Sequence, residues 1–146
     1  MRKARIAAVS LFCESIRPEL ESTVSLVGIY PDNVRVSPPL DGQAPVLPTL
    51  AIYTRVRIDI EATPFTDTEW RLMSPSGQKL VSHLFNAAFI EESAEGVREA
   101  GNEYATLVVQ TKASPFVINE IGRYVAVVNF EGEDHFAGAL RLSYHD

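Results

Sequence analysis

Catalysis needs a nucleophile, a base or a ligand set within reach, and this chain offers few candidates. Its one thiol is Cys13, followed by Glu14, and its three imidazoles are His83, His135 and His145. A cysteine nucleophile needs an adjacent base. Cys13 closes an apolar run, however, where a free Cys behaves as a small buried hydrophobe. His83 alternates with Val81 and Phe85 in a strand-like pattern, and no spacing joins the histidines into a metal or acid–base set. There is no Gly-x-Ser-x-Gly elbow, phosphate-cradling glycine loop, His-Glu-x-x-His or Cys-x-x-Cys. No catalytic residue and no cofactor is expected.

Two other groups of side chains carry chemistry. Tyr53, Arg55 and Arg57 alternate along one run, and Arg71, near Glu69, lies across from them if their strands pair as a hairpin. Tyr and Arg concentrate at protein–protein hot spots because they contact much area with little entropy lost. The alternative is a solvated sheet face with cross-strand ion pairs. The second group is acidic: Asp32 in a proline-bearing bend, Asp41 in a long loop, Glu131, Glu133 and Asp134 in a late turn, and Asp59 with Glu61 at a strand end. Calcium takes six to eight oxygens, and loops gathered at one end of a β-fold can supply them. Asp32, Glu131, Glu133 and Asp134 are the calcium candidates; simple solvation of loop tips is the plainer reading.

The elements that position these residues read as strands. Val and Ile total 24 against 12 Leu, and β-branched side chains suit pleated, half-buried surfaces. In Leu50–Ile60 the residues Leu50, Ile52, Val56, Ile58 and Ile60 share one face, with Tyr53, Arg55, Arg57 and Asp59 on the other, the period of two that marks a strand. Further strands are expected over Arg5–Cys13, Thr23–Tyr30 (resuming at Asn33–Val36), Asp67–Met73, Lys79–Ile90, Glu103–Thr111, Arg123–Phe130 and His135–Tyr144. Two segments differ. Residues 37–48 are proline-rich and predict an extended surface loop, and residues 91–102 are charged and predict a loop or at most one helical turn. The expected fold is all-β: residues 1–146 as one β-sandwich domain of about eight antiparallel strands, with Greek-key topology of immunoglobulin or C2 type.

The chain has 146 residues and a formal charge of −6. That length suits one domain with a true core, and the acidic balance argues against broad nucleic-acid binding. Met1–Cys13 has the outline of a lipoprotein leader, but Phe12 stands where processing wants a small residue, so the run reads as a first strand. No segment reaches the ~18 apolar residues of a membrane span. A cytoplasmic location follows as the expectation.

Two resemblances add to this. Gly122-Arg123-Tyr124-Val125-Ala126-Val127 entering a late strand resembles immunoglobulin-like sandwiches, in which a Tyr hydroxyl ties down an inter-strand corner. The runs Leu11–Glu19, Leu26–Pro31 and Leu47–Tyr53 resemble a family of short bacterial β-rich proteins that is a domain of unknown function. That resemblance implies a bacterial or phage origin and a single β-rich domain, and it transfers no site residues. The expected function is a non-enzymatic binding or assembly module whose partner is another protein or a second copy. The alternatives are a calcium-assisted ligand- or membrane-recognition domain and an enzyme whose site is assembled from distant residues.

Overall fold

The alternation in Leu50–Asp59 gives the central strand of one sheet: Ile52, Thr54, Val56 and Ile58 are buried, and Arg55 and Arg57 are exposed. A computed structural model describes residues 5–145. Met1-Arg2-Lys3-Ala4, the head of the leader-like start, lie outside the described residues. In chain order the strands are β1 (Ile6–Pro18), β2 (Val24–Ile29), β3 (Asn33–Val36), β4 (Val46–Leu47), β5 (Leu50–Asp59), β6 (Thr68–Met73) and β7 (Lys79–Phe85). Helix α1 (Ala87–Glu99) follows, then β8 (Tyr104–Ala113), β9 (Phe116–Val117), β10 (Gly122–Phe130) and β11 (Glu133–Tyr144). The first sheet has the order β2-β1-β5-β8 and is antiparallel throughout. The second has the order β3-β11-β10-β6-β7, antiparallel except that β3 runs parallel to β11. The chain is therefore all-β, as its composition predicts.

One continuous core fills the space between the sheets, with Phe12, Val56 and Leu107 from the first and Trp70, Val128 and Leu140 from the second. Trp70 is fully buried. Removing a side chain of that size from water is worth at most about 4–6 kcal/mol. Its indole N–H needs an acceptor there, and Nε1 donates to Ser10 Oγ on β1 at 3.1 Å; Ser10 Oγ in turn lies 2.7 Å from Thr54 Oγ1 on β5. The Tyr124 hydroxyl donates to the Glu120 carbonyl at 2.6 Å, the corner tie expected from the Gly-Arg-Tyr stretch.

Where β1 and β11 approach one another they do not pair. A Cβ on Gly138 would stand 2.5 Å from the Ser10 carbonyl oxygen, so only glycine allows this close approach. One residue earlier, β11 carries a bulge: the register with β10 shifts between Ala126/Gly138 and Val127/Phe136, leaving Ala137 as the extra residue. The shift reverses the inward–outward phase of the strand. Leu140 and Leu142 turn into the core, and Phe136 and Arg141 turn out.

Several expectations are corrected. The charged segment 91–102 is not a loop: most of it belongs to α1. Ile90, Ala94 and Val97, at helical spacing, face β8. Asn86 Oδ1 accepts from the Phe89 amide at 2.8 Å, and Asp67 Oδ1 accepts from that of Ala87 at 2.8 Å, so two first-turn donors are capped. The long strand Lys79–Ile90 ends at Phe85 because the helix takes its last apolar residues. Asn33–Val36 does not resume β2: after Pro31 the chain crosses to the other sheet. The proline-rich segment 37–48 is clipped by a Leu40–Gln43 bridge and by the pairing of β4 with β9. Asp59, expected on the wet face, is buried.

Candidate functional site

Antiparallel register places side chains in rows across the outward face of the first sheet. Val9, Arg55 and Val108 form one row, Leu11, Tyr53 and Gln110 the next, and Ala7, Arg57 and Thr106 a third. Val9 is 45% exposed, Val108 43% and Leu11 38%. Arg55 thus stands between two exposed valines, and Tyr53 beside an exposed leucine. The Arg57 guanidinium lies over the Tyr104 ring, 4.5 Å from its centroid. Arg17 on β1 and Lys112 on β8 share this outward side by register. In a chain of net charge −6, the rows from Ala7 to Arg17 carry four cationic residues and no carboxylate.

Tyr53, Arg55 and Arg57 are therefore brought together as the sequence predicts, and Arg71 is not. The hairpin that would align it does not exist: β5 pairs with β1 and β8, and β6 pairs with β10 and β7 in the other sheet. The link between β5 and β6 buries Ala62 and Phe65 as it crosses over. On the second sheet Arg71 is tied to Asp134, with its Nε 3.3 Å from Glu69 Oε1 but out of hydrogen-bond alignment.

The calcium candidates do not converge. The Asp32 carbonyl accepts from the Arg141 amide near the far end of β11, about 26 Å along the strand from Glu133 at ~3.3 Å per residue. At the hairpin, Glu131 pairs with Arg5 at 2.7 Å, while Asp134 pairs with Arg71 and accepts from Asn129 Nδ2 at 2.9 Å. Ion pairs within the fold account for those two carboxylates. Among the described residues no group of three His, Cys, Asp or Glu is placed to hold a metal ion.

Cys13 is fully buried, and its Sγ donates to the Ser15 carbonyl at 3.5 Å. Burial pushes the thiol above its ordinary range, with the Ser15 contact a smaller opposing effect, so the thiolate is disfavoured at neutral pH. His83 meets the Phe85 ring at 4.6 Å and His135 the Phe130 ring at 6.2 Å. His145 donates its backbone N–H to Val36 at 3.0 Å.

Sequence reasoning missed Val9, Leu11 and Val108 as members of the face. Their alternation with Ser10 and Phe12, and with Leu107 and Val109, was a usable signal: apolar residues on both sides of a strand at the surface mark a patch. The chain matches no protein-family model, no curated protein and no solved structure.

Proposed function

We propose that this chain is a non-enzymatic binding or assembly module that grips a protein partner through the outward face of its first sheet. One observation carries the reading: Val9, Leu11 and Val108 stay exposed around Tyr53 and Arg55 on rows that hold four cationic residues and no carboxylate, with Glu103 at their edge beside Arg55 and Arg57. Apolar side chains beside Tyr and Arg make up the composition of an interface centre. The positive field favours a partner surface carrying carboxylates among apolar residues. A protein is preferred to nucleic acid because the molecule as a whole is acidic, and an overall negative field opposes a polyanion.

The architecture also supports an immunoglobulin-like reading. Its elements are the Tyr124 corner, the buried Trp70 on β6 and the β3 strand running parallel to the last one, features of that sandwich class. A fold of that kind does not specify an activity, so the reading rests on the face. A cytoplasmic setting belongs to the same proposal. No helix among the described residues is long and apolar enough to cross a membrane.

The test compares affinity capture by the unmodified protein, by an Arg55→Ser/Arg57→Ser variant and by Arg71→Ser. A partner captured by the first and third and lost by the second supports the face, with melting temperatures unchanged within a few degrees. Equal capture by all three overturns it. Turnover of a substrate that one side-chain replacement abolishes overturns the non-enzymatic reading.

A further inference from the structure

A pocket of about 460 Å³ lies along the seam between the outward sides of β1 and β11. It is separate from the Arg55 face in its charged groups. Leu11, Ile29 and Phe136 contribute apolar wall, and Arg123 and Arg141 contribute the cations. Arg123 and Arg141 stand directly opposite one another on β10 and β11. The Arg141 amide donates outward to Asp32, so the two arginines form a non-hydrogen-bonded pair, the arrangement with the closer side chains. Like charges so placed repel, and guanidinium groups cannot escape by losing a proton.

Neither arginine makes an ion pair among the described residues, although Asp32 lines the same pocket. The Arg123 guanidinium lies over the Phe136 ring, its carbon 5.4 Å from the ring centroid. Phe136 itself is 59% exposed. The bulge at Ala137 produces this arrangement. An unbroken two-residue hairpin register, as at Val128/His135, would set Arg123 opposite Leu140; the shift sets it opposite Arg141 instead. Bulges re-aim side chains in this way next to binding sites.

We infer that the Arg123–Arg141 pair, with the Phe136 and Leu11 walls, is a binding site for an oxyanion attached to a compact apolar or aromatic body. A phosphate monoester and a carboxylate share the required chemistry. Either offers two oxygens to guanidinium forks, and its negative charge relieves the repulsion between the two opposed arginines. The ring and aliphatic walls then cover the body of the ligand.

The experiment titrates the protein with phenyl phosphate, with benzoate and with inorganic phosphate, followed by amide NMR shifts. Saturable shifts are expected at Gly138, Ala139 and Arg141 for one or both aromatic anions, and weaker binding for inorganic phosphate. The relative strength of the first two probes separates a phosphate from a carboxylate ligand. Arg123→Gln or Arg141→Gln weakens binding by about tenfold or more, the loss expected for a charge-assisted hydrogen bond. Arg141→Lys keeps the charge but loses the fork, and falls between. Arg55→Ser/Arg57→Ser leaves this binding intact, so failure here is distinct from failure of the proposed protein-binding face. Absence of saturable shifts, or equal affinity in the glutamine variants, overturns the site. Inorganic phosphate binding as tightly as phenyl phosphate overturns the role of the apolar walls.

Discussion

Trp70 and Ser10 join the two sheets: the indole Nε1 on β6 donates across the core to the hydroxyl on β1 at 3.1 Å. The same Ser10 oxygen contacts Thr54 Oγ1, so one small side chain satisfies two buried polar groups. Ser10→Ala leaves an indole N–H and a threonine hydroxyl without that partner. An expected loss of about 2–6 kcal/mol follows from ~1–3 kcal/mol for each of the two orphaned groups, and urea denaturation measures it. A loss under half a kcal/mol would show that the cluster finds other partners.

Two glycines predict substitutions of opposite sign. At Gly138 an added Cβ meets the Ser10 carbonyl oxygen at 2.5 Å, and a backbone atom cannot rotate away. Gly138→Ala therefore destabilises by about 1–3 kcal/mol, as overpacking does. Gly96 lies within α1 with nothing within 4 Å of the same position, so Gly96→Ala stabilises by about 0.5–1 kcal/mol. Thermal melts of the two variants should move in opposite directions.

Removing one member of the opposed arginine pair relieves a repulsion. Arg141→Gln raises stability by about 0.2–1 kcal/mol in low salt, and the gain shrinks as salt is added. Melting curves at two ionic strengths check it; a destabilised variant would mean that the guanidinium contributes contacts outweighing the repulsion.

Because its thiol is buried and biased towards the protonated form, Cys13 reacts slowly with an alkylating reagent at neutral pH. Labelling becomes rapid only under denaturing conditions. Rapid native labelling would place the side chain in contact with solvent.

Glu120 links the Tyr124 corner to the β6–β7 turn. Hydrogen bonds from the Ser76 and Ser74 hydroxyls, in that order, hold its carboxyl below the ordinary glutamate range. A depressed folded-state value favours folding above the unfolded-state range, and that contribution is lost as pH falls through the folded value. Carboxyl NMR should show Glu120 titrating at lower pH than a free glutamate, and Ser76→Ala should move it back up.

Regular alternation made much of this readable in advance. Leu50–Asp59 reveals its buried and exposed sides directly, and the Tyr124 corner follows from Gly-Arg-Tyr entering a strand. Helix α1 was hidden because Ala87–Ile90 prolongs an apolar strand pattern, and the Asn86 cap is the mark that separates them. The pairing of Arg123 with Arg141 was hidden more deeply. It depends on one extra residue in β11, for which the only sequence sign is an isolated glycine, Gly138, inside a strand pattern. Arg71 was misplaced because nothing local to a strand states which sheet it joins.

The parallel contact between β3 and β11 bears on how the chain is made. Asn33 pairs at Arg141, 108 residues later, and among the described residues β3 has no strand on its other side. On a ribosome adding ~5–20 residues per second, β3 waits roughly 5–20 s for its partner. Throughout that interval an unprotected strand edge is available to any neighbouring nascent chain. Arrival of the final strand, rather than formation of the early hairpin, ends this vulnerable period.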